Sequence, residues 1–272
     1  MLQLPEVVRA TEQIAREREA GQVSLFGGGG GDSAPALRLE LKETEEFPLV
    51  QLLNGERDTL GHYLSGHPFD PYRDELHGLT GHDLGDLEKI WENRPESARS
   101  GWRPELETVV AGQVVAIRKK GDAQMFVQIE DGRGRLECAF FSETYSEFAS
   151  LLTRDRLLVI QGGLREDAFS GGFALKAARC WDYGQICAQH AKRLSLRLDL
   201  RVPGIWSRVD ALLAKHRPGS TPIRVDLIKA GAAVMLDLNG SNSVRVDVEL
   251  VGMLKAMPGV KAVKLALGRP WG

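Results

Sequence analysis

The stretch from Thr108 to Phe141, TVVAGQVVAIRKKGDAQMFVQIEDGRGRLECAFF, decides the fold. Apolar and polar residues alternate through TVVAGQVVAIR, break at RKKGD, resume in AQMFVQIED, break at DGRGR and resume in GRLECAFF. Alternation at period two marks strands with one buried face, and each break supplies the Gly and Asp that tight turns require. The next segment, SETYSEFASLL, turns to helical spacing. Ser142 stands as its N-cap, with Tyr145, Phe148, Leu151 and Leu152 on one side. Two further strands, RLLVIQGGLRE and GFALKAARCWD, are joined by DAFSGG.

The resulting order is β-β-β-α-β-β, the sequence order of an OB-fold barrel, with a generic five-stranded antiparallel domain as the alternative. OB barrels hold single-stranded nucleic acid on strands 2 and 3, framed by the first and fourth loops. Candidate nucleic-acid-binding residues are therefore Arg118, Lys119 and Lys120 in the first loop, Arg133 and Arg135 in the second turn, and Phe140 and Phe141 on the third strand. Phe126 is assigned to the barrel core. Arg103 to Asp182 holds 11 basic and 12 acidic residues, so affinity for phosphate should be modest and salt-sensitive. Use of the barrel as a spacer or protein contact stays open.

Downstream of the barrel the pattern is strand LSLRLDL, helix IWSRVDALLAKH, strands PIRVDLI and AAVMLDL, helix SVRVDVELVGMLKAM and strand VKAVKLAL. This βαββαβ order is read as the split, ferredoxin-like arrangement. The second helix is rich in β-branched residues near its start, which blurs that boundary. Upstream, residues 4–20 read as a thin amphipathic helix and residues 27–47 as a linker. A second helix is expected from Asn54 to Ser65, with Leu60 and Leu64 at i, i+4, Gly66 as its left-handed cap and Pro68 beyond. The fold class is α+β multidomain. The boundaries are 1–26 (helix and motif), 27–47 (linker), 48–102 (small helical subdomain), 103–190 (barrel) and 191–272 (small α/β domain).

Composition narrows the function classes. The chain is 43% hydrophobic and 26% charged, the balance of a globular protein. It shows neither a 20-residue apolar run nor a signal-peptide pattern, so a cytoplasmic protein without membrane attachment is expected. Cys138, Cys180 and Cys187 include no C-x-x-C pair and read as reduced thiols. His62, His67, His77 and His82 lack metal-ligand spacing. There is no P-loop, G-x-S-x-G or strand-end carboxylate pair, so neither a catalytic residue nor a cofactor is expected. The net charge of −2 hides an asymmetry: −8 from Arg38 to Glu96 and +8 from Lys192 to Gly272. The basic end suits an acidic protein partner or a phosphate backbone.

The stretch Gln22-Val23-Ser24-Leu25-Phe26 precedes five glycines. Adjacent Leu25 and Phe26 cannot both face one side of a helix or strand. They suit an apolar pocket on a partner, with the Gln22 amide at its rim; folding back onto their own domain is the alternative. Together with LGHYLSGHP, EDGRGRLECAFF and the order of parts, this makes the chain resemble the C-terminal third of the alpha subunit of bacterial DNA polymerase III. The resemblance covers essentially the whole chain. It implies that Gln22, Leu25 and Phe26, with Val23 and Ser24 between them, dock onto the sliding clamp. It implies that the barrel contacts single-stranded template and that the last domain binds the clamp-loader tau subunit. The first loop is shorter than the family's basic loop. The family's polymerase palm and its metal-binding aspartates have no counterpart, so the chain by itself is expected to be non-catalytic. Met1 falls inside the family's pattern, as in a fragment or a short reading frame. The expected role is tethering of a replicative polymerase to clamp, template and loader in the bacterial cytoplasm at the nucleoid. A stand-alone OB-fold protein that binds single strands is the alternative.

Overall fold

The computed structural model describes residues 8, 9, 11, 12, 16, 47, 49–98, 104–167, 171–229 and 232–271. The chain divides into two compact units, Met1–Leu52 and Leu53–Gly272. In the first, Val8, Arg9, Thr11, Glu12 and Arg16 are helical, within the segment expected to be so.

Helix α1 (Leu49–Leu60) starts and stops earlier than its periodicity suggests. Gly61 ends it by taking the left-handed conformation at φ +77° and donating its N–H to the Arg57 carbonyl at 2.9 Å. Glu56 then draws the following loop back, accepting from the N–H groups of Leu64 (2.7 Å) and Ser65 (3.0 Å). Leu60 and Leu64 do not share a helical stripe and are exposed at 49% and 67%. Two short helices follow, α2 (Arg73–Thr80) and α3 (Leu87–Glu92).

Five strands then close into the expected barrel: β1 (Leu106–Lys119), β2 (Gln124–Glu130), β3 (Arg135–Phe141), β4 (Leu157–Glu166) and β5 (Phe173–Asp182), in spatial order β1-β2-β3-β5-β4. β1 is long enough to serve two neighbours. Its first half pairs with β4 and its second with β2, across a bulge between Val114 and Ala116. β3 closes the barrel on β5 through a short parallel register, Glu137↔Ala174 to Ala139↔Lys176. Helix α4 (Ser142–Phe148) lies between β3 and β4. Ser142 is not its N-cap: it is the first helical residue, at φ +42°, after extended Phe141. Tyr145, Phe148 and Leu151 pack half-buried against the barrel core, and Leu152 joins it.

Helix α5 (Tyr183–His190), capped by the Asp182 carboxylate on the Gly184 N–H at 2.8 Å, leads into the last domain. There β6 (Ala191–Asp199), α6 (Ile205–Ala214), β7 (Ile223–Lys229), β8 (Ala232–Leu238), α7 (Val248–Ala256) and β9 (Val260–Leu267) keep the expected βαββαβ order. The split arrangement does not form. The sheet runs β8-β7-β6-β9, with β6 and β7 paired directly in parallel, Leu196 against Val225. The reason lies in β8, which is exposed at every position but the last and has no buried face to place between two strands. α7 begins at Val248, where Asp247 accepts from the Leu250 N–H at 2.7 Å; the β-branched stretch before it is extended, with Val244 bridged to Thr221.

Two cores result, one inside the barrel and one beneath the last sheet. The helices before the barrel divide their apolar side chains between them. Leu84, Leu87 and Trp91 join the barrel core, whereas Phe69, Leu76 and Leu79 join the other. The β2–β3 turn fixes this junction. Asp131 is 1% exposed; its carboxylate accepts from the N–H groups of Leu84 (2.7 Å), Arg133 (2.8 Å) and Gly134 (2.9 Å). At Gly134 a Cβ would lie 2.8 Å from the Leu84 carbonyl carbon, so only glycine permits the approach.

Asp131→Ala is expected to leave the buried Leu84 N–H and the half-buried N–H groups of Arg133 and Gly134 without their acceptor and to cost on the order of 2 kcal/mol. Hydrogen exchange would show it as lost protection at Leu84 and Gly134; unchanged protection there would refute the assigned role of the carboxylate.

Candidate nucleic-acid interface

Alternation along β2 and β3 sorts their side chains cleanly. Val127 and Ile129 on β2, and Leu136, Cys138 and Phe140 on β3, point into the barrel and are at most 1% exposed. Gln124, Phe126, Gln128 and Glu130 therefore face outward, beside Phe141, Ala139, Glu137 and Arg135 respectively. The assignment of the phenylalanines is corrected at two positions. Phe140 is fully buried and cannot stack on a base, and Phe126, assigned to the core, is on the outer face. The parity of Val127 and Ile129 is the signal that would have found it.

One row of this face crosses four strands. Arg118 on β1 lies opposite Phe126 on β2, Phe126 opposite Ala139 on β3, and Ala139 opposite Lys176 on β5. At the usual strand separation the row spans about 14 Å. The Arg118 guanidinium sits over the Phe126 ring, 4.5 Å from its centroid, and also reaches Glu137 at 3.2 Å. The Phe126 and Phe141 rings meet edge to face, with centroids 6.1 Å apart at 87°. The small Ala139 side chain lies beside them, and Lys176 is exposed at the far end. An aromatic pair flanked by cations and floored by a small residue can stack bases and neutralise the phosphates on either side.

The predicted basic residues fall into two groups. Lys120 is exposed and has no ion pair among the described residues, and Lys119 is only loosely paired with Asp122 at 3.8 Å. Arg133 is occupied: its guanidinium lies 2.7 Å from the Asp83 carboxylate, which is itself buried. Arg135 is paired with Glu130 on the neighbouring strand. These two arginines help to hold the turn in place, and a phosphate would have to compete with their carboxylates. Lys176 was not foreseen, because the parallel β3–β5 contact that brings it into the row has no trace in strand order.

The clamp-motif residues Gln22, Val23, Ser24, Leu25 and Phe26 lie outside the described residues, as does most of the 27–47 linker. The histidines have structural partners. His67 accepts from the Phe69 N–H through Nδ1 (3.1 Å) and faces Glu130 through Nε2 (3.3 Å). His77 faces Asp83 at 3.1 Å, and burial holds the His82 pKa below its ordinary value. Cys138, Cys180 and Cys187 are buried, and burial pushes Cys180 up to about 12 and Cys187 up to about 11, so both stay protonated thiols. Among the described residues no helix is long and apolar enough to cross a membrane.

Comparison with known proteins agrees with this geometry. Residues 108–182 match the OB-fold nucleic acid binding domain model. The whole chain is 51% identical to DNA polymerase III subunit alpha of Xylella fastidiosa strain Temecula1, of which it covers 23%. It is 33% identical to the same subunit of Pseudomonas aeruginosa over 88% of the chain and 20% of that relative. It is 27% identical to that of Escherichia coli K12 over 97% of the chain and 22% of the relative. The chain thus spans about a quarter or less of the relatives it matches, in their C-terminal part.

The two phenylalanines should separate by experiment. Phe140→Ala is expected to cost about 3–5 kcal/mol of stability in urea unfolding. Phe126→Ala, at the surface, should cost well under half of that; equal losses would contradict the assigned faces.

Proposed function

Because this chain is related along its whole length to the C-terminal part of bacterial DNA polymerase III alpha subunits, we propose that it is the tethering region of a replicative polymerase. The barrel holds single-stranded template, the Gln22–Phe26 segment docks on the sliding clamp, and the last domain meets the tau subunit of the clamp loader. The work is done in the bacterial cytoplasm, at the nucleoid. Phosphodiester bond formation is assigned to parts of the polymerase outside this chain, which needs no cofactor for tethering.

The observation that carries the reading is the Arg118–Phe126–Ala139–Lys176 row on an OB barrel. Its chemistry suits unpaired bases, whose faces are free to stack, better than a duplex. The near balance of charge across the barrel argues for a weak hold on DNA. Avidity compensates: a peptide on the clamp and a strand on the barrel each become effectively intramolecular once the other is engaged. The net charge of +8 from Lys192 onward supports an acidic protein partner for the last domain.

Two measurements test this. With purified sliding clamp, Leu25→Ala/Phe26→Ala should weaken binding at least a hundredfold, since two buried apolar anchors contribute roughly 3–6 kcal/mol before ordering costs. Undiminished binding would remove the clamp assignment. With oligo(dT), Lys120→Ala/Lys176→Ala should lower the slope of log K against log salt by about 1.4, two phosphates at ~0.7 each on a single strand. The double variant should leave clamp binding as it was. An unchanged slope would place the DNA elsewhere on the molecule.

A further inference from the structure

The outer face of β2 does not end at Phe126. Its next outward residue, Gln128, lies about 7 Å further along the strand and enters a pocket of about 590 Å³. One wall is the loop after α1, with Arg57, His62 and Tyr63; the other is the barrel, with Val115, Gln128 and Arg135. The volume is in the range of small-molecule sites, and the lining mixes an aromatic ring, aliphatic side chains, an amide, the guanidinium groups of Arg57, Arg73 and Arg135 and the carboxylates of Asp70 and Glu130.

The pocket is built rather than incidental. The Tyr63 ring meets His67 edge to face, centroids 5.2 Å apart at 82°. His67 is 8% exposed and fixed by Phe69 and Glu130, and at Gly132 a Cβ would come within 3.0 Å of its ring. Arg57 is anchored to the barrel through Asp155 at 2.6 Å. By contrast, the Gln128 amide makes no side-chain hydrogen bond among the described residues. A half-buried amide beside an aromatic platform can offer both a donor and an acceptor to a group entering the pocket.

We propose that this pocket takes one nucleobase of a single strand whose neighbouring base is stacked on Phe126, so that the GHYLSGH loop is the end wall of the barrel's single-strand track. The Gln128 amide reads the edge of the base, Tyr63 and Val115 contact its face, and Arg57 and Arg135 meet the adjoining phosphate by exchanging Asp155 and Glu130 for it. The step from Phe126 to Gln128 is comparable to the separation of adjacent nucleotides in a stretched single strand. This inference rests on the reading of the barrel as a single-strand site and adds a specific nucleotide position to it.

The test uses the full chain and fluorescein-labelled oligo(dT) of increasing length, followed by anisotropy. Phe126→Ala should weaken all lengths. Gln128→Ala should weaken roughly three- to tenfold only strands long enough to reach the pocket, the worth of one hydrogen bond to the base. It should leave shorter strands unaffected. Photocrosslinking with 5-iododeoxyuridine stepped along the strand gives an independent readout on the unmodified protein. A single position should label Tyr63, one nucleotide from the position that labels Phe126. If Phe126→Ala weakens binding while Gln128→Ala changes no length and Tyr63 is never labelled, the pocket assignment is wrong and the barrel reading survives. If neither substitution matters, or no oligonucleotide binds at low salt, both are overturned.

Discussion

A carboxylate with 1% of its surface exposed, Asp131, holds the β2–β3 turn to the helices in front of the barrel. It is a buried charge made tolerable by three backbone N–H donors, which is the condition for keeping an ion out of water. Two of those donors shape its own turn and the third belongs to Leu84, so forming the turn and docking the helical segment are one event. The Arg73 guanidinium adds to this by donating to the Asp131 carbonyl at 2.7 Å while reaching Asp70 at the same distance. Glycines at 132 and 134 leave room for His67 and for the Leu84 backbone, respectively. The two distinctive stretches of the sequence, LGHYLSGHP and EDGRGRLECAFF, therefore meet as the two sides of one contact.

The same helical segment is tied to the last domain by a different device. The Lys255 ammonium donates to the Pro71 carbonyl at 2.6 Å and lies 3.2 Å from Glu75, over the Tyr72 ring. Glu75 is 8% exposed. Removing Lys255 would leave the buried Glu75 carboxylate without its cation. With Leu84, Leu87 and Trp91 in one core and Phe69, Leu76 and Leu79 in the other, residues 53–98 act as mortar between barrel and sheet rather than as a domain with a core of their own.

This explains which parts of the molecule were legible in the sequence. The barrel could be read because each strand has one dry face and one wet face, and alternation records that directly. Parity also carries the placement of Phe126: alternation requires some of the aromatic side chains to fill the core, and the buried positions Val127 and Ile129 show that Phe126 is not one of them. The pairing partner of a strand leaves no such record. The direct contact of β6 with β7 and the parallel closure of β3 on β5 both depend on the full packing of the domain. The end of α1 was missed because Gly66 and Pro68 are strong breakers, while the actual stop, Gly61, stands inside a run that still has helical spacing. The pocket beside Gln128 has no trace in the sequence, since its walls come from segments more than fifty residues apart that meet through Arg57 and Asp155 and through His67 and Glu130.

The balance of charge on the outer face bears on how such a surface would work. Arg118 is shared between the Phe126 ring and Glu137, Arg133 faces Asp83 and Arg135 faces Glu130. A phosphate arriving at any of them replaces an existing partner, so the net gain is the difference between two charge-assisted contacts and not the whole of one. Lys120 and Lys176 offer charge without that exchange. Affinity for a strand then comes mainly from stacking, which is indifferent to sequence, and a strand held that way can be released one base at a time. A surface whose arginines are already committed holds a strand less tightly than a strongly basic groove, and it presents a smaller barrier to letting go.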